Sequence, residues 1–153
     1  MKMMDTIKSE FGFSPELEDE YVRDLDDLPW DREQIIMQYK SYVLYKDKYP
    51  VTEGHVLYVP RSRNYIFIID CFTEAYKRGI LGRETGEWEA FNIGLNYGIQ
   101  AGQTIDWPHV HLIPRRTRDC ENPKGGVRNV IPGAGDYTGN VSYSSQQVCA
   151  TTK

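Results

Sequence analysis

Chemistry in this 153-residue chain starts with histidine. Only three occur, and two of them, His109 and His111, flank a single residue in Trp107-Pro108-His109-Val110-His111-Leu112-Ile113-Pro114-Arg115. Side chains two positions apart on an extended strand share a face, so this spacing sets two imidazoles side by side, roughly 6–7 Å apart. Val110 and Leu112 then turn to the opposite face. Such a pair admits three readings: histidines satisfied on a half-buried sheet face, two ligands of a metal, or a nucleophilic or acid–base imidazole with polar support. A metal site would need further ligands. His55 is the only other histidine, and neither C-x-x-C nor H-E-x-x-H occurs. We therefore expect no metal and no cofactor.

The elements that position this pair follow from patterning. Ile35-Ile36-Met37 and Ser41-Tyr42-Val43-Leu44-Tyr45 are rich in β-formers and predict two strands, or one broken near Lys40. Lys46 to Pro50 is a polar turn, and Gly54 to Pro60 is a short apolar strand closed by proline. Asn64 can cap a helix over 65–79 that ends at Gly79, with Ile66, Ile69, Phe72 and Tyr76 at helical spacing. Phe91 to Tyr97 alternates as a strand, and Thr104 to Pro114 is the histidine strand. Ser14-Pro15-Glu16 starts a short helix in the N-terminal extension. The expected fold class is α+β: an antiparallel sheet of about five strands, one long helix and additional terminal helix. We place an acidic extension at 1–32, the domain at 33–132 and a polar tail at 133–153.

Charge divides unevenly. The net charge is −4, of which residues 1–33 carry −7 and the remainder +3. Arg115, Arg116, Arg118, Lys124 and Arg128 follow the histidines, and a positive rim there would favour an anionic ligand. The basic residues are too sparse for a nucleic-acid surface, and no apolar run reaches the ~18 residues of a membrane span. The start, Met1-Lys2-Met3-Met4-Asp5, carries no secretory pattern, and three scattered cysteines fit a reducing compartment. We expect a cytoplasmic protein with no nucleic-acid or membrane partner.

Residues 95–115, Leu95-Asn96-Tyr97-Gly98 through Ala101-Gly102-Gln103-Thr104 to His109-Val110-His111, resemble the core of the histidine triad (HIT) superfamily. That family shows N-x-G, then G-Q-[S/T]-V, then H-φ-H-φ-H-φ-φ, with φ apolar. Asp47 to Pro60, containing Gly54-His55-Val56-Leu57, resembles the family's upstream segment. Asn122 to Pro132 is similar to a segment of a microbial branch. The resemblance spans roughly residues 33–132. It implies a HIT-like fold, a homodimer and a hydrolase or transferase acting at the α-phosphate of a purine nucleotide derivative. A dinucleoside polyphosphate or nucleoside phosphoramidate is the expected substrate class.

The resemblance also implies roles. His109 falls on the nucleophile, which forms a nucleotidyl-histidine that water hydrolyses. His111 falls on the histidine beside the phosphate, Thr104 on a hydroxyl contacting phosphate or leaving group, and His55 on a supporting histidine. Asp47 matches the residue gripping the ribose hydroxyls, Asn96 and Gln103 match polar pocket residues, and Tyr45 would wall the base. Each has a plainer reading: Thr104 as a β-former, Asn96, Gln103 and Asp47 as turn residues, Tyr45 as core. Two adjacent positions depart, the second being Pro108 where the family has an apolar residue. The family's first triad histidine falls on Trp107, whose indole N–H can donate but not accept. That departure motivates an alternative: a nucleotide-binding or regulatory protein with weak or lost catalysis.

Overall fold

The computed structural model describes residues 22–138. The chain divides into two compact units, Met1–Asp119 and Cys120–Lys153. The first unit holds a five-stranded antiparallel sheet of order β1-β2-β3-β5-β4, with strands β1 Ile35–Gln38, β2 Tyr42–Lys46, β3 Val56–Pro60, β4 Ala90–Gly94 and β5 Val110–Arg115. One helix, α1, runs Tyr65–Glu84. This is the expected α+β architecture. The helix start foreseen at Ser14 lies outside the described residues. The described part of the extension contributes two single 3-10 turns, Leu25–Asp27 and Arg32–Gln34.

Residue type explains where the elements stop. Tyr39 N–H donates to the Tyr42 carbonyl and closes the β1–β2 hairpin at the break foreseen near Lys40. Asn64 caps α1 by accepting from the Ile66 amide at 2.9 Å. The helix does not end at Gly79. It runs on to Glu84, because Gly79 and Gly82 face inward and give their missing side chains to aromatic rings. A Cβ on Gly79 would stand 2.6 Å from the Phe91 ring, and one on Gly82 would enter the Trp88 ring. Trp88 Nε1 then donates to the Gly79 carbonyl at 3.0 Å.

The helix therefore buries a small-residue face, Cys71, Ala75, Gly79 and Gly82. The larger apolar residues Ile66, Ile69 and Tyr76 remain about half exposed. Of the four apolar residues at helical spacing, Phe72 alone packs against the core. Close approach of a helix to a sheet needs small residues at the contact, and Ile66, Ile69 and Tyr76 are turned outward.

β5 is shorter than foreseen. Residues 104–109 are not strand; the ladder begins at Val110. Pro108 has no amide to give the ladder, and Trp107 N–H turns back to the Ile105 carbonyl at 2.8 Å. β4 likewise stops at Gly94 rather than Tyr97.

The sheet separates two cores. On the α1 side lie Tyr42, Tyr58, Cys71, Ala75, Trp88, Val110 and Leu112. On the other side lie Leu28, Trp30, Val43, Tyr45, Leu57, Val59 and Trp107. Each large apolar side chain contributes roughly 1.5–3 kcal/mol by leaving water. Leu28 and Trp30 come from the acidic extension, so its end roofs the helix-free face of the sheet. Among the described residues no helix is long and apolar enough to cross a membrane.

Candidate active site

The strand register builds the site. His111 pairs with Leu57 of β3 and with Gly94 of β4, while Leu57 pairs with Tyr45 of β2. Directly opposed residues share a face, so Tyr45, Leu57, His111 and Gly94 form one row across the helix-free face. A Cβ on Gly94 would meet nothing within 4 Å, which leaves the row open beside His111. His109 stands just before β5 on the same side, its ring centroid 5.0 Å from that of His111.

Hydrogen bonds then fix which nitrogen carries each proton. Val51 N–H donates to His55 Nδ1 at 3.2 Å, so in the neutral ring His55 Nε2 must carry the hydrogen. His55 Nε2 lies 2.9 Å from His111 Nδ1 and therefore donates to it. That leaves the His111 proton on Nε2. His109 Nδ1 lies 2.8 Å from the Trp107 carbonyl, which can only accept. The His109 proton is thus held on Nδ1, and Nε2 keeps a free lone pair. One imidazole thus presents a free lone pair at Nε2 and its neighbour an N–H.

Electrostatics favour the neutral rings of His111 and His55. Burial, with His109 and His55 beside it, pushes the His111 pKa down to about 4. Burial also lowers that of His55, and Asp47 opposes the shift. Asp47 Oδ2 lies 3.4 Å from His55 Nε2, and Oδ1 accepts from the Tyr49 amide at 2.7 Å. His111 Nε2 and the Tyr45 hydroxyl are buried without a hydrogen-bond partner. Each such group costs about 1–3 kcal/mol when left unpaired, so both are poised to meet a ligand. Burial raises the Tyr45 pKa, opposed by Arg32 and Arg61, and keeps its phenol protonated.

The structure brings Asp47, His55, His111 and His109 together, with Tyr45 in the same cross-strand row as His111. Gln103 is committed locally: its Oε1 accepts from Gly98 N at 2.7 Å and its Nε2 donates to the Ile105 carbonyl at 2.9 Å. It braces the loop that leads into Trp107. Thr104 is exposed and Asn96 half-buried; neither is hydrogen-bonded into the histidine chain. Two residues of the foreseen basic rim are engaged elsewhere. Arg115 lies about 20 Å along β5 from His109 and is held by Asp119 and Asn92. Arg116 donates to the carbonyls of Glu53 and Glu87. Lys124 and Arg128 belong to the second unit.

The parts played by two tryptophans escaped sequence reasoning. Trp107 is a peg: its Nε1 donates to the Pro60 carbonyl at 2.8 Å, joining the approach to β5 with the end of β3. The guanidinium carbons of Arg63 and Arg23 lie 4.8 and 5.2 Å from its ring centroid. Trp30 packs edge-on against His109 at 5.1 Å and against Tyr45 at 5.8 Å. A tryptophan after Pro29 has no spacing that ties it to a histidine 79 positions later. Asp47, His55 and His111 are the described trio whose ligand atoms all lie within 4.8 Å of one another, so they are the residues that could hold a metal. An ion there would displace the His55–His111 hydrogen bond.

No family model matches the chain. It is 30% identical over 93 residues to a bis(5'-nucleosyl)-tetraphosphatase (asymmetrical) of Schizosaccharomyces pombe, covering 56% of this chain and 51% of that protein. The chain thus spans about half the length of that relative. It is 29% identical over 104 residues to an uncharacterized HIT-like protein of Saccharolobus solfataricus, covering 63% of this chain and 75% of the other. Among solved structures, a HIT family protein of Bacillus anthracis superimposes with a TM-score of 0.50 at 23% identity, covering 75% of each chain.

Proposed function

We propose that the chain is a member of the histidine triad superfamily, to whose proteins it is similar, and a nucleotide hydrolase working through His109. Supporting this is one observation: the hydrogen-bond chain that gives His109 Nε2 a lone pair and His111 Nε2 a proton. His109 Nε2 attacks the α-phosphorus, the new P–N bond forms, and the bond to the leaving group breaks. The Trp107 carbonyl, still accepting from Nδ1, stabilises the positive charge the ring acquires. His111 Nε2–H hydrogen-bonds a non-bridging oxygen where negative charge grows. Water then attacks phosphorus, the P–N bond breaks, and nucleoside monophosphate leaves.

Asp47 holds the ribose hydroxyls through its oxygen facing His55, and Tyr45 offers its unpaired hydroxyl to the base. Thr104 and Asn96 take up phosphate and leaving-group contacts only when substrate is present, and Gln103 acts by shaping their loop. The substrate class is a dinucleoside polyphosphate or a nucleoside phosphoramidate, with a purine base, in the cytoplasm. Chromatography of reactions with diadenosine tetraphosphate and adenosine 5'-phosphoramidate tests this. Turnover of one of them, lost by about 10³-fold or more in His109→Ala, is the expected result. Undiminished turnover in the variant would rule out the mechanism.

A second reading rests on Trp107, whose N–H is spent on Pro60 and which cannot relay a proton. In that reading the protein binds nucleotide with little chemistry. Tight adenosine monophosphate binding by calorimetry, beside no turnover of either compound, would favour it.

A further inference from the structure

His109 is only 6% exposed, and the neighbouring donor His111 Nε2 is sealed from solvent. A phosphate cannot reach both atoms in this arrangement. Trp30, itself 8% exposed, lies edge-on against His109. It belongs to a strap, residues 23–34, that crosses the helix-free face. The strap is fastened at both ends. Arg23 N bonds the Arg61 carbonyl while Arg61 Nε bonds the Arg23 carbonyl at 3.0 Å. At the far end Gln34 Nε2 donates to the Lys46 carbonyl, and Asp31 faces Lys48 at 3.6 Å.

Between those ends the strap is tied by side chains alone. Among the described residues the backbone bonds of Asp27, Leu28 and Gln34 close on Asp24, Leu25 and Asp31, within the strap itself. Leu28 and Trp30 are its buried pegs. A segment with few ladder bonds opens at lower free energy than the sheet beneath it. The ring that closes on His109 also borders Tyr45, whose hydroxyl lacks a partner. A planar ligand group that pairs that hydroxyl and takes the place of the indole against it would open the path to His109.

We propose that Trp30 is a latch on His109 that the nucleobase of the substrate displaces, so that the base is required for turnover as well as the phosphate. This rests on the hydrolase reading for its second half only. Binding by a part of the substrate remote from phosphorus is thereby spent on uncovering the nucleophile, and truncated substrates lose rate rather than affinity alone.

The first test reads accessibility and needs no turnover. Diethyl pyrocarbonate labels accessible neutral imidazole, and peptide mass spectrometry resolves His109 from His55. In Trp30→Ala, His109 labelling should rise about tenfold over the wild type, with His55 changing little. Trp30→Leu, which keeps an apolar peg, should give an intermediate rise and guards against loss of fold, monitored by circular dichroism. Equal His109 labelling in all three proteins overturns the latch, whatever the activity. The second test compares adenosine 5'-phosphoramidate with ribose 5-phosphoramidate, which has no base. The wild type should prefer the nucleoside compound in kcat/KM, and the preference should shrink about tenfold in Trp30→Leu. A preference unchanged by the substitution overturns the base requirement. Failure of both compounds to react refutes the hydrolase reading and with it the base requirement, while the labelling result still decides the latch.

Discussion

A tautomer is a small thing, but here it decides what each histidine can do. A backbone amide at Val51 sets His55, His55 sets His111, and the Trp107 carbonyl sets His109. No side chain other than imidazole supplies both an acceptor at one nitrogen and a donor at the other within that chain. The same burial that seals His111 gives it a pH signature. Its pKa falls from the ordinary 6.5 to about 4, so the unfolded chain takes up this proton more readily than the folded one. Stability is full above about pH 6.5 and is lost as the pH falls toward 4, by about 2 kcal/mol once partial exposure and screening are allowed for. Urea unfolding of the wild type and His111→Asn at about pH 7.5 and 4.5 checks this. The variant should lose measurably less stability across the window. Parallel losses would show that His111 is not the group responsible.

At the scale of elements, α1 and β5 each depart from their sequence patterns for a stated reason. The helix buries glycine, alanine and cysteine, and leaves Ile66, Ile69 and Tyr76 about half exposed, with the Tyr76 ring 6.0 Å from Phe91 of β4. Exposed apolar side chains repeated along one helix face mark a surface suited to association. We propose that this face pairs with a second copy of the chain. Sedimentation of the wild type should give twice the mass of the chain, and Ile69→Asp should lower the dimer's stability by about 2 kcal/mol or more. A monomeric wild type at micromolar concentration would remove the proposal. In β5, Pro108 delays the strand so that His109 is carried by a turn whose carbonyl faces back onto it. An unbroken strand from Thr104 would have spent that carbonyl on the ladder.

For the molecule as a whole, the sheet, its five strands and the Asn64-capped helix were legible because each has a local cause: β-branched runs, a cap, a proline. The His109/His111 pair and His55 were legible too, since their spacing survives folding. The extent of the helix was not, because Gly79 reads as a stop until Phe91 and Trp88 are known to pack there. Nor was the strap: Leu28 and Trp30 lie in a segment whose charge suggests solvent, and their burial depends on a sheet face formed by residues far along the chain. The place of Arg115 in the foreseen basic rim was misjudged for a related reason. Proximity in sequence to His111 placed Arg115 at the opposite end of the strand from His109.

The claim that joins these scales is covalent chemistry at one nitrogen. Rapid acid- or base-quench of the protein mixed with adenosine 5'-phosphoramidate, followed by peptide mass spectrometry, looks for that bond directly. The expected result is an adenylyl group on the peptide containing His109, absent from His109→Ala and chased to adenosine monophosphate on longer incubation. Steady turnover with no adduct on His109 at any quench time, or turnover that survives His109→Ala, would contradict it.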